Sequence, residues 1–218
     1  MPGTIREQSE QLKAHAAAHL PAEVVAVFGR GVEKLAAGGV GPGAVQAGDR
    51  LAPFTLDDAT GQPVSLDQLV AAGPAVIVFY RGGWCPYCNL ALRTYQRELL
   101  PGLGAFGARL VAISPQTPDE SLSTAEKAEL AFTVLSDPGA RLAQRLGIAY
   151  RQADEVCAAQ RQLGLELTEV NAEGSANLPH PAVLIVGQDR TVRFADISPD
   201  YTTRTEVSDI LAALAGQR

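Results

Sequence analysis

Hydrophobic and polar positions divide the chain into two parts. Over residues 4–37, apolar side chains fall at Ile5, Leu12, Leu20, Val24, Phe28, Val32 and Leu35, close to the spacing of one helical face. Pro21 has a fixed φ suited to a helix start and divides the segment into two helices. Gly38 and Gly39 stop the second helix, and Val40-Gly41-Pro42-Gly43 reads as a linker. The pattern predicts a helical extension over residues 1–45 and one main domain over residues 46–218.

The main domain changes period. Phe54–Leu56 and Pro63–Leu66 flank a polar turn at Ala59-Thr60-Gly61, a small hairpin, and Asp67 begins a short helix. Ala75–Tyr80 (AVIVFY) and Arg109–Ser114 (RLVAIS) are runs of the kind found in strands covered on both faces. A helix over about residues 86–100 joins them, so the two strands should be parallel with a right-handed crossover. Further helices are predicted over residues 118–127, 139–146 and 151–163, with a strand at 132–135. Val183–Val186 and Val192–Phe194 form a second hairpin about Gln188-Asp189-Arg190, and a last helix covers residues 203–214. This alternation predicts an α/β fold: a three-layer α/β/α sandwich with a mixed central sheet.

Composition removes several classes of function. The 218 residues are those of an ordinary globular protein. No apolar run approaches the roughly 20 residues of a membrane helix. The opening MPGTIREQSEQ carries charges and no apolar core, so no secretory signal is read and a cytoplasmic protein is expected. A net charge of -6, with no basic patch, argues against generic nucleic-acid binding. Three cysteines cannot build a disulfide framework. Cys85 and Cys88 are three positions apart and Cys157 is distant, which points to redox chemistry or a metal.

The informative stretch is FYRGGWCPYCNLALRTY, residues 79–95. A buried strand ends at Tyr80, Gly82 and Gly83 make a turn, and Cys85 falls at a helix start with Pro86 just inside it. The Cys85 sulfur then lies beside free backbone N–H groups and the positive end of the helix dipole. Both favour thiolate, and Arg81 adds positive potential if its side chain turns inward. Cys88, Leu92, Tyr95 and Leu99 follow helical spacing, so Cys88 should face the core and Cys85 should be the more exposed thiol. Such a pair can attack a peroxide or disulfide with one sulfur and resolve the product with the other. The same spacing can also form half a zinc site, with His15 and His19 as the other half. The strand–turn–helix setting favours the redox reading, with no metal and no cofactor.

With these residues the chain resembles the alkyl hydroperoxide reductase/thiol-specific antioxidant family, in particular peroxiredoxin-like members with a Gly-Gly-Trp-Cys-Pro-Tyr-Cys site. The resemblance covers about residues 46–215. It rests on Gly48–Leu56, FYRGGWCPYC, Ala112-Ile113-Ser114-Pro115, Leu135-Ser136-Asp137-Pro138 and the strand after Pro181. It implies a thioredoxin-like fold. Two positions depart from the family. In the peroxiredoxin register Cys88 is the peroxidatic cysteine, and Cys85 stands where the family has threonine. Pro181 stands where peroxiredoxins carry an arginine. Thioredoxins and glutaredoxins have a cis-proline there, so the His180–Pro181 bond is expected to be cis and to pack against Cys85, as opposed to a trans proline at a strand start. His180 is then either a proton-transfer group near the sulfurs or an exposed loop histidine. Trp84 should shield the site or contact a partner, Tyr87 should be exposed between the cysteines, and Cys157 reads as a lone helix thiol, with a distant resolving cysteine as the alternative.

The resemblance implies a thiol-dependent peroxidase using Cys85 and Cys88, passing through a disulfide and recycled by thioredoxin or glutathione. Chemistry at the helix tip favours Cys85 as nucleophile, whereas the family register favours Cys88. The alternative functions are a thiol–disulfide oxidoreductase and a zinc-binding or scaffold protein. The N-terminal helices either cover the domain or form part of a homodimer.

Overall fold

The computed structural model describes residues 3–118, 120 and 130–216. The predicted helix over 118–127 lies almost wholly outside these residues.

Among the described residues, nine strands form two sheets. The large one has the order β2-β1-β5-β4-β3-β8-β9. Its centre is β3 (Ala75–Phe79), parallel to β4 (Arg109–Ser114) and antiparallel to β8 (Ala182–Val186). β5 (Thr133–Ser136) runs parallel to β4. The hairpin β1 (Thr55–Asp58) and β2 (Pro63–Ser65) extends one edge, and β9 (Val192–Ile197) forms the other. A separate two-stranded sheet pairs β6 (Ala149–Arg151) with β7 (Asn177–Pro179). This pairing explains why the helix predicted from residue 151 starts only at Asp154.

Alternation along β3 divides its buried side chains between two cores. Ala75, Ile77 and Phe79 join Val111, Ile113, Leu184 and Leu135 on one face, under α3 (Leu66–Val70) and α6 (Arg141–Arg145). Val76, Val78 and Tyr80 join Leu110, Ala112, Val183 and Ile185 on the other. That second face is covered by α4 (Pro86–Thr94), which runs through a π-helical turn (Tyr95–Leu99) into α5 (Leu100–Leu103), and by α9 (Val207–Ala215). The sandwich and the parallel first crossover are therefore as the sequence predicts.

Two helices precede the sandwich, α1 (Ile5–His19) and α2 (Ala22–Gly38). A capping box starts α1, with the Glu7 N–H donating to Thr4 Oγ1 at 3.2 Å and the Thr4 N–H donating to Glu7 Oε2 at 2.8 Å. The Ile5 and Arg6 N–H groups donate to the Glu206 carboxylate at 3.0 and 2.9 Å. A carboxylate at a helix N-terminus also complements the dipole. Ile5 enters the same core as the two cysteines, and α1 packs on α4.

Candidate active site

β3 ends one residue before the turn, where the Tyr80 N–H donates to the Ile113 carbonyl at 3.0 Å. Gly82 then adopts φ +148°, and a Cβ there would collide with the Trp84 indole, so the turn requires glycine. The Gly83 N–H donates to Gln116 Oε1 at 2.7 Å, and Asn89 Nδ2 donates to the Gly83 carbonyl at 2.6 Å. The turn is thus held from both the β4 exit and α4. Cys85 is the N-cap of α4 with Pro86 at the first helical position, and the Cys88 and Asn89 N–H groups donate to the Cys85 carbonyl at 3.0 and 3.1 Å.

The two thiols are unbonded and buried, Cys85 at 1% exposure and Cys88 at 0%. The expectation of an exposed Cys85 is corrected. A helix tip is normally open to water, but here it belongs to the core that also takes Ile5, Tyr80, Ile210 and Leu214. Arg81 does turn inward, with Nη1 3.9 Å from Cys85 Sγ. A second guanidinium comes from far along the chain: Arg204 Nη2 donates to Cys88 Sγ at 2.9 Å. Its other nitrogen, Nη1, donates to the Tyr201 and Thr203 carbonyls at 2.6 and 2.5 Å. Tyr95 Oη donates to the Thr205 carbonyl at 2.7 Å and fastens this loop to the π-helical turn after α4.

These contacts separate the two sulfurs electrically. Burial alone pushes the Cys85 thiol up, but the hydrogen bond from the Cys88 thiol, the Arg81 and Arg204 charges and the Cys88 N–H outweigh it and hold Cys85 well below the ordinary thiol range. Burial, the hydrogen bond that its thiol gives to Cys85 and the negative charge of Cys85 push Cys88 well above that range. Arg204 touches Cys88 and, taken singly, favours charge there. The hydrogen bond from Cys88 and the Arg81 and Arg204 charges act on Cys85, with a smaller contribution from the Cys88 N–H, and together they favour the anion there.

The other predicted site residues are placed as follows. Trp84 and Tyr87 are half-buried, so Tyr87 is less exposed than expected. The Trp84 ring lies 4.8 Å from the Arg81 guanidinium, and Tyr87 lies 6.4 Å from Tyr201. His180 is buried at 5% exposure, against Tyr150 at 4.7 Å between ring centroids, and is no exposed loop histidine. The His180–Pro181 bond is trans, since the described residues contain no cis peptide. The reason is backbone pairing on both sides. The His180 N–H donates to Ile148 O at 2.7 Å, and Pro181 O accepts from the Ser198 N–H at 2.9 Å. The chain passes extended from β7 to β8, with the proline at the gap where no donor is needed. Cys157, in α7 (Asp154–Gln162), is half-buried, and burial raises its thiol. His15 and His19 stack on one another in α1, centroids 4.0 Å apart. Among the described residues, no group of three or more His, Cys, Asp or Glu side chains is placed to hold a metal ion.

Sequence reasoning missed Arg204, Tyr150 and Tyr201. None belongs to a local motif, and Arg204 lies 116 positions from Cys88.

A thiol pair at the start of the helix that follows a central parallel strand, on a mixed sheet with helices on both faces, defines a thioredoxin-like fold of the peroxiredoxin type. The AhpC/TSA family matches residues 47–195, and the chain belongs to that family. Peroxiredoxin Q, chloroplastic, of Sedum lineare is 33% identical over 104 residues, which are 48% of this chain and 55% of that protein. A protein named as a peroxiredoxin in Mycobacterium tuberculosis is 30% identical over 104 residues, 48% of this chain and 67% of its own. The chain spans about half the length of the plant relatives it matches. Among solved structures, peroxidoxin BcpB of Mycobacterium tuberculosis has a TM-score of 0.62 at 23% identity, covering 80% of this chain and 99% of that one. A peroxiredoxin-like protein from Aquifex aeolicus has a TM-score of 0.63 at 16% identity, covering 82% and 91%. These two likenesses are of fold. No described helix is long and apolar enough to cross a membrane.

Proposed function

We propose that the protein is a thiol-dependent peroxidase in which Cys85 attacks and Cys88 resolves. The observation that carries this reading is the placement of the sulfurs: Cys85 is the N-cap of α4 with the Arg81 guanidinium 3.9 Å away, and Cys88, one turn on, accepts from Arg204. The Cys85 thiolate attacks one oxygen of a hydroperoxide ROOH and the O–O bond breaks. Cys85 becomes sulfenic acid, and the Cys88 thiol gives its proton to the departing RO⁻, which leaves as ROH. The Cys88 thiolate then attacks the Cys85 sulfur. An S–S bond forms, and hydroxide leaves. Thioredoxin or glutathione supplies the two electrons that restore the dithiol. The departure at Pro181 does not leave the site without a guanidinium, because Arg81 and Arg204 supply two. We place the protein in the cytoplasm, with residues 46–218 as the catalytic domain and 1–45 as its helical cover.

The test is mass spectrometry of Cys85→Ser and Cys88→Ser after one equivalent of hydrogen peroxide, beside peroxide consumption with a thioredoxin system. Cys88→Ser should accumulate sulfenic acid on Cys85, and Cys85→Ser should react no faster than a free thiol. A wild-type peroxide rate equal to that of free thiols, beside rapid insulin reduction, overturns the peroxidase in favour of a thiol–disulfide oxidoreductase.

A further inference from the structure

A second set of polar groups surrounds Arg81, and the chemistry above uses none of them. The guanidinium lies over Tyr201 at 3.9 Å and over Trp84 at 4.8 Å. Tyr150 and His180 face one another at 4.7 Å. Both sense the Arg81 charge, and Tyr150 also senses both cysteines. Four buried polar atoms of this group have no hydrogen-bond partner among the described residues: Arg81 Nε, Trp84 Nε1, Tyr150 Oη and His180 Nδ1. Buried polar atoms are seldom left so. The Arg and Trp nitrogens can only donate, and the phenol donates readily. Three available donors, beside an imidazole nitrogen of either role, suit a ligand that accepts.

The charge count points the same way. Arg81 is buried at 3% exposure and Arg204 is half-buried, and among the described residues neither pairs with a carboxylate. A Cys85 thiolate balances one of them. One positive charge remains without a counter-ion beside the buried thiols, where water screens it poorly and an unpaired charge is costly.

We propose that the unpartnered polar atoms of Arg81, Trp84 and Tyr150 receive a carboxylate, on the Arg81 side of the Cys85 sulfur. This deepens the peroxidase reading by naming a substrate class: a hydroperoxide that bears an acid group. An acidic thiol reductant presents the same chemistry. The half-buried Trp84 and Tyr87 mark the side from which such a group enters.

The first test uses no peroxide. Reduced full-length protein is alkylated with iodoacetate and with its neutral counterpart iodoacetamide, and adducts on Cys85 are followed by mass spectrometry. The iodoacetate-to-iodoacetamide rate ratio, divided by that of N-acetylcysteine, should be at least tenfold. In Tyr150→Phe, and separately in Trp84→Phe, it should fall at least threefold. A wild-type ratio near one overturns the proposal. So does a high ratio that neither variant lowers, which is steering by net charge alone. Two further pairs separate the sources: cumene hydroperoxide against its 4-carboxylated form, and glutathione against its diethyl ester. A preference for the carboxylated hydroperoxide assigns these polar atoms to the substrate. A preference for free glutathione assigns them to the reductant, and a preference in neither pair overturns both assignments. If no hydroperoxide outpaces free thiols, the peroxidase reading falls and the iodoacetate result stands independently.

Discussion

On one face of the central strands, Ile77 and Phe79 meet Val111, Ile113 and Leu184 in a layer built from apolar side chains. On the other, Val76, Val78 and Tyr80 look towards Cys85 and Cys88, with Arg81 and Arg204 at the sulfurs. Both interiors hang on the same strands, one residue out of phase. The apolar face gains free energy with each side chain it hides, about 1.5–3 kcal/mol for a fully buried Leu or Ile. The thiol face holds charges whose desolvation opposes folding, and it is retained because guanidinium and thiolate offset one another. Stability and reactivity are thus largely assigned to opposite sides of one sheet.

Four substitutions test that division. The largest effect belongs to the apolar face. Leu184, at 0% exposure and opposite Ile77, should lose about 2–5 kcal/mol on replacement by alanine, read by urea unfolding. The rate of Cys85 alkylation in the folded variant should stay within about twofold of wild type. A rate that falls in parallel with stability breaks the comparison.

Arg204→Met should act the other way. Removing the cation lets the Cys85 thiol rise, and one pK unit is a tenfold change in thiolate. The pH profile of iodoacetamide alkylation at Cys85 should move to higher pH, each pK unit of movement slowing the reaction about tenfold on its rising limb, and wild-type and variant rates should converge above the ordinary thiol range. The sign follows for stability as well. Cys85 ionises in the folded chain at a pH where the unfolded chain still holds the proton. Its contribution is therefore full above the unfolded thiol's pKa and is lost as pH falls through the lowered folded value. Reduced wild-type protein should gain stability over Cys85→Ser as pH rises towards 9, about the pKa of the unfolded thiol. A constant difference over that range counts against a folded-state thiolate.

The smallest effect is expected at Cys157. Its thiol is half-buried and raised by burial, so Cys157→Ser should leave peroxide turnover within about twofold. A larger loss, with a Cys157 disulfide seen by mass spectrometry, makes it a third participant in the thiol chemistry.

What the sequence made legible is what local pattern encodes. The AVIVFY strand, the Gly82–Gly83 turn, the N1 proline and the two cysteines lie within sixteen residues, 75–90, and short-range rules fix their geometry. The site's second cation was not legible, because Arg204 reaches Cys88 only through the closure of β9 and the loop after it. The burial of Cys85 was missed for a related reason. A helix N-cap looks exposed when only its own helix is considered, and Ile5 belongs to an extension read as a separate segment. The trans bond at Pro181 shows the limit of resemblance. Pairing with Ile148 and Ser198, remote in sequence, holds that backbone extended.

The chain contains one tryptophan, and it immediately precedes Cys85 with its ring over the Arg81 cation. Indole emission is sensitive to nearby charge. Each time the thiolate next to it is consumed or restored, the light from this single fluorophore should change, so the redox cycle can be timed on unlabelled protein.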